Sequence, residues 1–163
     1  GRESLADEGD IDLVMKRSAD NGQTWGEIQV IIDNGTDTAG NPAPVVGQTT
    51  GRIWMPYGTN PGEDPYARRV WMTSSDDNGV TWAMVGAVPS VKSINTIASS
   101  STGVLYAATA PSACTDCADG TMSGEFFVSK DGGSSWGKSA SEWTPGGSGS
   151  GWVAMTTAFV APE

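Results

Sequence analysis

Three sets of side chains in this 163-residue protein are spaced so that chemistry is open to them. The aspartates Asp20, Asp77 and Asp131 each sit in one local pattern: Ser18-Ala19-Asp20-Asn21-Gly22-Gln23-Thr24-Trp25, Ser75-Asp76-Asp77-Asn78-Gly79-Val80-Thr81-Trp82 and Ser129-Lys130-Asp131-Gly132-Gly133-Ser134-Ser135-Trp136. Calcium would explain a carboxylate at each, but the one central carboxylate of each turn is far short of the roughly six to eight oxygens that calcium takes. A turn explains them better, because Asp-Asn-Gly and Asp-Gly-Gly tolerate positive φ and the carboxylate can accept the backbone N–H groups of its own turn. Arg68-Arg69 offers two guanidinium forks suited to an anionic carboxylate. The competing reading has one of the pair solvated and the other matched to a nearby acid such as Glu63 or Asp64.

Cys114-Thr115-Asp116-Cys117 has C-x-x-C spacing, yet the sequence has no histidine and no second cysteine pair, so a structural zinc has too few ligands. Redox chemistry needs a βαβ setting that the pattern lacks, which leaves a disulfide staple in a surface loop or a free thiol pair. No metal or cofactor is expected.

The elements that must hold these groups are short strands. Asp12 to Ser18 and Trp25 to Ile32 alternate as a hairpin around the first copy, with Asp33 to Gly40 as a turn-forming link. Ala43-Pro44-Val45-Val46, then Arg52 to Tyr57, Arg68 to Ser74 and Ala83 to Val88 follow as four strands, with Gln48-Thr49-Thr50-Gly51, the loop Gly58 to Ala67 and the second copy between them. Ile94 to Ala98, Val104 to Ala108, Phe126 to Ser129 and a weak strand near Trp136 to Trp143 repeat the plan around the third copy. Gly146 to Gly151 is a Gly/Ser connection, and Trp152 to Val160 has the composition of one more strand. The copies stand 57 and 54 residues apart, about one four-stranded propeller blade. The fold class is therefore all-β, a partial propeller of about two and a half to three blades, with the box tryptophans Trp25, Trp82 and Trp136 buried over their turns.

Nineteen acidic against 9 basic residues, a formal charge of −10, argue against nucleic acid and against an anionic membrane surface, and no apolar run reaches membrane length. Propellers close with roughly four to eight blades, so this stretch cannot close alone. It calls for a longer polypeptide, a second copy that makes a six-bladed homodimer ring, or an open sandwich in which its own ends pair.

The repeated pattern matches the Asp box, S-x-D-x-G-x-T-W, Ser135 being the departure. Together with Gly1-Arg2-Glu3-Ser4, Asp7-Glu8-Gly9-Asp10-Ile11-Asp12-Leu13-Val14, Asn41-Pro42-Ala43-Pro44-Val45-Val46 and Thr50-Gly51-Arg52-Ile53-Trp54, it resembles the first blades of a bacterial exo-α-sialidase of the six-bladed, BNR-repeat type. The likeness runs from residue 1 to about Lys92; beyond it only generic Asp-box character remains, which puts a segment junction near 92–94 within the single 1–163 segment. The resemblance implies an exported glycoside hydrolase acting on sialylated or other glycans. It implies that Asp7 is the general acid/base and that Arg2 lines the site. A loop carboxylate partly shielded from water suits that task, while the competing reading makes Asp7 one solvated acid among Glu3, Glu8 and Asp10. The family's three carboxylate-gripping arginines and its glutamate-activated tyrosine nucleophile match no residue placed here, so this segment is expected to be catalytically incomplete. The alternative is a carbohydrate-binding or protein-interaction module built of Asp-box blades. The structural Asp-box residues are Ser18, Asp20, Gly22, Trp25, Ser75, Asp77, Gly79, Trp82, Ser129, Asp131, Gly133 and Trp136.

Overall fold

A computed structural model describes residues 9–61, 67–90, 94–109, 112–113 and 122–138. Arg2, Asp7, Cys114 and Cys117, the acids Glu63 and Asp64, and the expected strand over 152–160 lie outside the described residues.

The described part of the protein is all-β, in antiparallel sheets. β1 (Leu13–Met15) and β2 (Gln29–Ile32) form a hairpin in which Val14 faces Val30, with a bulge between Leu13 and Val14. β3 (Thr38–Gly40), β4 (Val45–Val46), β5 (Ile53–Asn60), β6 (Arg69–Ser75) and β7 (Ala83–Val88) form the next sheet, in the order β3-β5-β6-β7 with β4 also on β5. β8 (Ile94–Ser99) and β9 (Leu105–Thr109) begin a third sheet. The small pair β10 (Ser112–Ala113) and β11 (Met122–Ser123) precedes β12 (Phe126–Ser129) and β13 (Gly137–Lys138), and the sheet order is β13-β12-β9-β8.

Two sequence readings need correction here. The link Asp33 to Gly40 is not all turn, because its last three residues are β3, paired with the far end of β5, with Thr38 and Ala39 buried. Asn41, at φ 55, then breaks the edge strand before Pro42, so that β3 and β4 share one side of β5 as two pieces. Gly58, Thr59 and Asn60 do not open a loop but extend β5. A Cβ on Gly58 would stand 3.8 Å from the carbonyl oxygens of Arg69 and Gly40, strands on either side, so the glycine here serves a strand interior.

The alternation of β5 and β6 explains why their sequence reads as almost unbroken apolar. Trp54, Val70 and Met72 point to one core, shared with Val88, Ile94, Leu105, Ala107 and Phe127. Met55 and Tyr57 point to the other, shared with Leu13 and Ala39, and Trp71 packs against it. The middle sheet is thus buried on both faces, one against the hairpin and one against the four-stranded sheet. Phe127, Met72 and Leu105 are fully buried, and each of these residues stabilises the fold by about 1.5–3 kcal/mol on leaving water.

The box turns set the spacing between sheets. Gly79, at φ 80, lies so close to β1 that a Cβ would meet Met15 Cε at 2.8 Å. Gly133, at φ 94, lies over β6 and β7, where a Cβ would meet Met72 Cγ at 2.9 Å and Val85 Cγ1 at 3.6 Å. Each of these turns stands on the sheet before it. Gly22 in the first copy meets only its own Trp25, at 3.9 Å.

That difference corrects the expectation of three buried tryptophans. Trp82 and Trp136 are half-buried against the two cores, whereas Trp25 is 60% exposed, and Val14, Ile28 and Val30 are exposed as well. A box tryptophan is covered where its turn rests on a preceding sheet, and among the described residues no sheet precedes the hairpin.

Candidate functional site

The box turns lie at one end of their strands, and there the box carboxylates are taken up by their own turns. In the first box the Ser18 hydroxyl donates to Asp20 Oδ1 at 2.7 Å and accepts the Gly22 N–H at 2.7 Å. Asp20 Oδ1 also accepts the Thr24 N–H at 2.8 Å, and Oδ2 accepts the Thr24 hydroxyl at 2.6 Å. Ser75, Asp77, Gly79 and Thr81 repeat the set at 2.8, 2.8, 2.8 and 2.6 Å. Ser129, Asp131 and Gly133 repeat it again, and Ser135, the departure from threonine, supplies the same backbone and hydroxyl bonds to Asp131.

These bonds fix the charge of the box carboxylates. The Thr24, Thr81 and Ser135 hydroxyls, helped by the same residues' N–H groups, lower Asp20, Asp77 and Asp131 from 3.8 to about 2. A carboxylate so held stays ionised near neutral pH and has no proton to give a leaving group. Among the described residues no group of three or more His, Cys, Asp or Glu side chains is placed to hold a metal ion.

The other end gathers a different set of side chains. β1 and β6 run toward boxes one and two, so the residues before them gather at the opposite end. Ile11 bridges Thr38, its carbonyl accepts the Ala39 N–H at 2.7 Å, and Gly9 O accepts the Thr38 hydroxyl at 2.9 Å. Thr38 pairs with Asn60 across β3 and β5, and Asn60 Oδ1 accepts Arg68 Nε at 2.9 Å. Arg68 is thereby oriented and half-buried, while Arg69 is exposed, its Nη1 donating to the carbonyls of Ala67 and Arg68 at 3.1 Å. The indole of Trp71 donates to Thr59 Oγ1 at 2.9 Å just beneath. Gly9 through Asp12, Asn60 and Arg68 therefore share one rim.

Of the residues singled out in the sequence, the structure brings Arg68 to this rim with Asn60 and the segment Gly9 to Asp12, and holds every box residue at the opposite end. Asp7 and Arg2, five residues apart in the sequence ahead of Gly9, lie outside the described residues. Sequence reasoning missed Asn60 and Thr38. Their signal was faint: a polar residue directly before Pro61, and a threonine in a stretch full of turn formers.

An open hollow of about 440 Å³ lies beside the third box, lined by Val128, Lys130, Ser135, Gly137 and Lys138. Its Lys138 ammonium already meets Glu125 Oε1 at 3.1 Å, so its charge is partly spent.

Comparison with known proteins places this architecture. The fold is similar to that of the Hadza microbial sialidase Hz136, with a TM-score of 0.60 at 20% sequence identity over 78% of this chain. The match spans 30% of that sialidase's length. No curated protein matches it. The model of the BNR repeat-like domain matches residues 3–145, which takes in all three boxes and every described sheet. With its boxes bonded alike and matched over that length, the chain belongs to the BNR repeat-like domain family.

Proposed function

We propose that this protein supplies sheets of a sialidase-like β-propeller, exported from the cell, whose ligand is a sialylated or related acidic glycan bound at the rim opposite the boxes. The observation that carries this reading is the division of labour between the ends: all three box carboxylates are consumed by their turns, while Arg68 is oriented by Asn60 at the rim that the sequence before Gly9 joins. By the resemblance, Asp7 is the acid/base and Arg2 lines the site. Proton transfer alone leaves most of a glycosidic barrier standing without a nucleophile and a carboxylate clamp, so these residues by themselves turn over nothing. Hydrolysis of a fluorogenic sialoside tests this; turnover lost in Asp7→Ala would refute the incompleteness.

Val14 and Val30, paired across the hairpin and exposed, together with the exposed Trp25 and Ile28, support an assembly role. Both boxes that have a sheet before them press a glycine on its methionine, Gly79 on Met15 and Gly133 on Met72. The same rule seats another such sheet against Gly22 and Trp25, and a second copy of this protein meets that requirement in the six-bladed ring.

A further inference from the structure

The sequence contains three Asn-Gly dipeptides, Asn21-Gly22, Asn34-Gly35 and Asn78-Gly79, which are chemically equivalent as peptides. In an Asn-Gly pair the glycine nitrogen can attack the asparagine Cγ. A bond forms between that nitrogen and Cγ, the bond from Cγ to the amide Nδ2 breaks, ammonia leaves carrying the displaced proton, and a succinimide ring results. Water then opens the ring at either carbonyl, giving aspartate or isoaspartate. Asparagine is for this reason among the heat-sensitive residues.

The structure separates the three. Asn21 and Asn78 are both at φ 58, followed by glycines at φ 86 and φ 80. The nucleophile is held in each case, because the Gly22 and Gly79 N–H groups donate to Ser18 and Ser75 Oγ at 2.7 and 2.8 Å. Gly79 is also buried against Met15. For either nitrogen to reach its Cγ, the asparagine must leave the left-handed region and the serine bond must break. That opens the whole box, since the same serine hydroxyl donates to the box aspartate.

At Asn34 the restraint is confined to one neighbouring side chain. Asn34 is outside the left-handed region, and Gly35 is exposed, with no atom within 4 Å of where a Cβ would stand. The Gly35 N–H donates to Asp33 Oδ1 at 2.8 Å, but both residues are exposed and breaking that bond opens no box, so the nitrogen is freed at little cost. The turn is closed by Asp37 N–H donating to Asn34 O at 3.3 Å, at the long end of hydrogen bonding.

We infer that Asn34 is a site of spontaneous deamidation and isoaspartate formation, and that the Asp-box fold shields Asn21 and Asn78 from the same reaction. The product places a new carboxylate between Asp33 and Asp37. As isoaspartate it also lengthens the backbone just before Thr38 and Ala39, the residues that tie Gly9 and Ile11 to the ligand rim. Age at Asn34 therefore loosens the rim while the boxes stay intact.

Peptide mapping by mass spectrometry, with isoaspartyl methyltransferase labelling, tests this on the folded protein held in mildly alkaline buffer. Asn34 is expected to convert at least about tenfold faster than Asn21 or Asn78, a barrier difference that loss of a local opening step readily supplies. In urea the three rates should converge. Ser75→Ala should speed Asn78 severalfold while Asn21, in the same sample, stays slow and so reports that the protein remains folded. Equal rates at the three sites in the folded protein would overturn the inference, as would an unchanged Asn78 rate in folded Ser75→Ala.

Discussion

The carbonyl oxygen of Ser134, in the third box, lies 2.9 Å from the place where a Cβ on Gly86 of β7 would stand. The Gly133 carbonyl is nearly as close, at 3.1 Å, and the Gly132 carbonyl accepts the indole N–H of Trp54 at 3.1 Å. Three consecutive backbone carbonyls of one box thus rest on the preceding sheet, so the turn is an interlocking part as well as a hairpin end. Gly86→Ala should then cost about 1–3 kcal/mol, since backbone on both sides has to move. Gly58→Ala, where the nearest atoms stand at 3.8 Å, is the control and should be milder. Chemical denaturation of the two variants measures the difference.

The boxes are bonded alike but buried differently, and their serines should rank accordingly. Ser75 is 2% exposed and its hydroxyl satisfies the buried Gly79 N–H, so Ser75→Ala should cost about 1–3 kcal/mol. Ser18→Ala should cost less, because the exposed Gly22 N–H can turn to water. Equal denaturation midpoints for the two variants would count against the ranking.

The box aspartates also set an acid limit. Their folded values, about 2, lie below the ordinary 3.8, so the folded state binds protons less readily than the unfolded polypeptide. The resulting stabilisation is fully present above about pH 4 and is lost as pH falls toward about 2. Thermal melts between pH 5 and pH 2 should show a steepening drop in midpoint over that window. Asp77→Asn should flatten part of the drop while lowering the midpoint near neutrality.

Association should follow the exposed hairpin face. Light scattering over a range of concentrations is expected to show a mass that rises toward two copies, and Trp25→Ser should hold the protein at one copy. A single-copy mass at every concentration, with Trp25 fluorescence unchanged, would remove the two-copy ring.

Much of the fold was legible because the boxes punctuate it. Asp-Asn-Gly fixes a turn by its own side-chain bonds, so the strands on either side, such as Phe126–Ser129 and Ala83–Val88, fall where the turn dictates. Thr38–Gly40 and the end of β5 were not legible, since their pairing partners are some twenty residues apart and the local composition favours loops. Trp25 was misread for a related reason. The box specifies a tryptophan over a turn, but whether that ring is covered depends on a neighbouring sheet that no local pattern encodes. Of the site, Arg68 was visible as a charge pair, while its orientation by Asn60 depends on the strand extension that was missed.

The central proposal is that these 163 residues do not by themselves hold a complete sialic-acid-directed site. The most direct measurement is hydrolysis of a fluorogenic α-sialoside by the folded protein, with Asp7→Ala and Asp131→Asn alongside. The account predicts no turnover above buffer for any of the three. Turnover that Asp7→Ala abolishes and Asp131→Asn leaves unchanged would contradict it, because the nucleophile and the carboxylate clamp would then have to reside within these 163 residues.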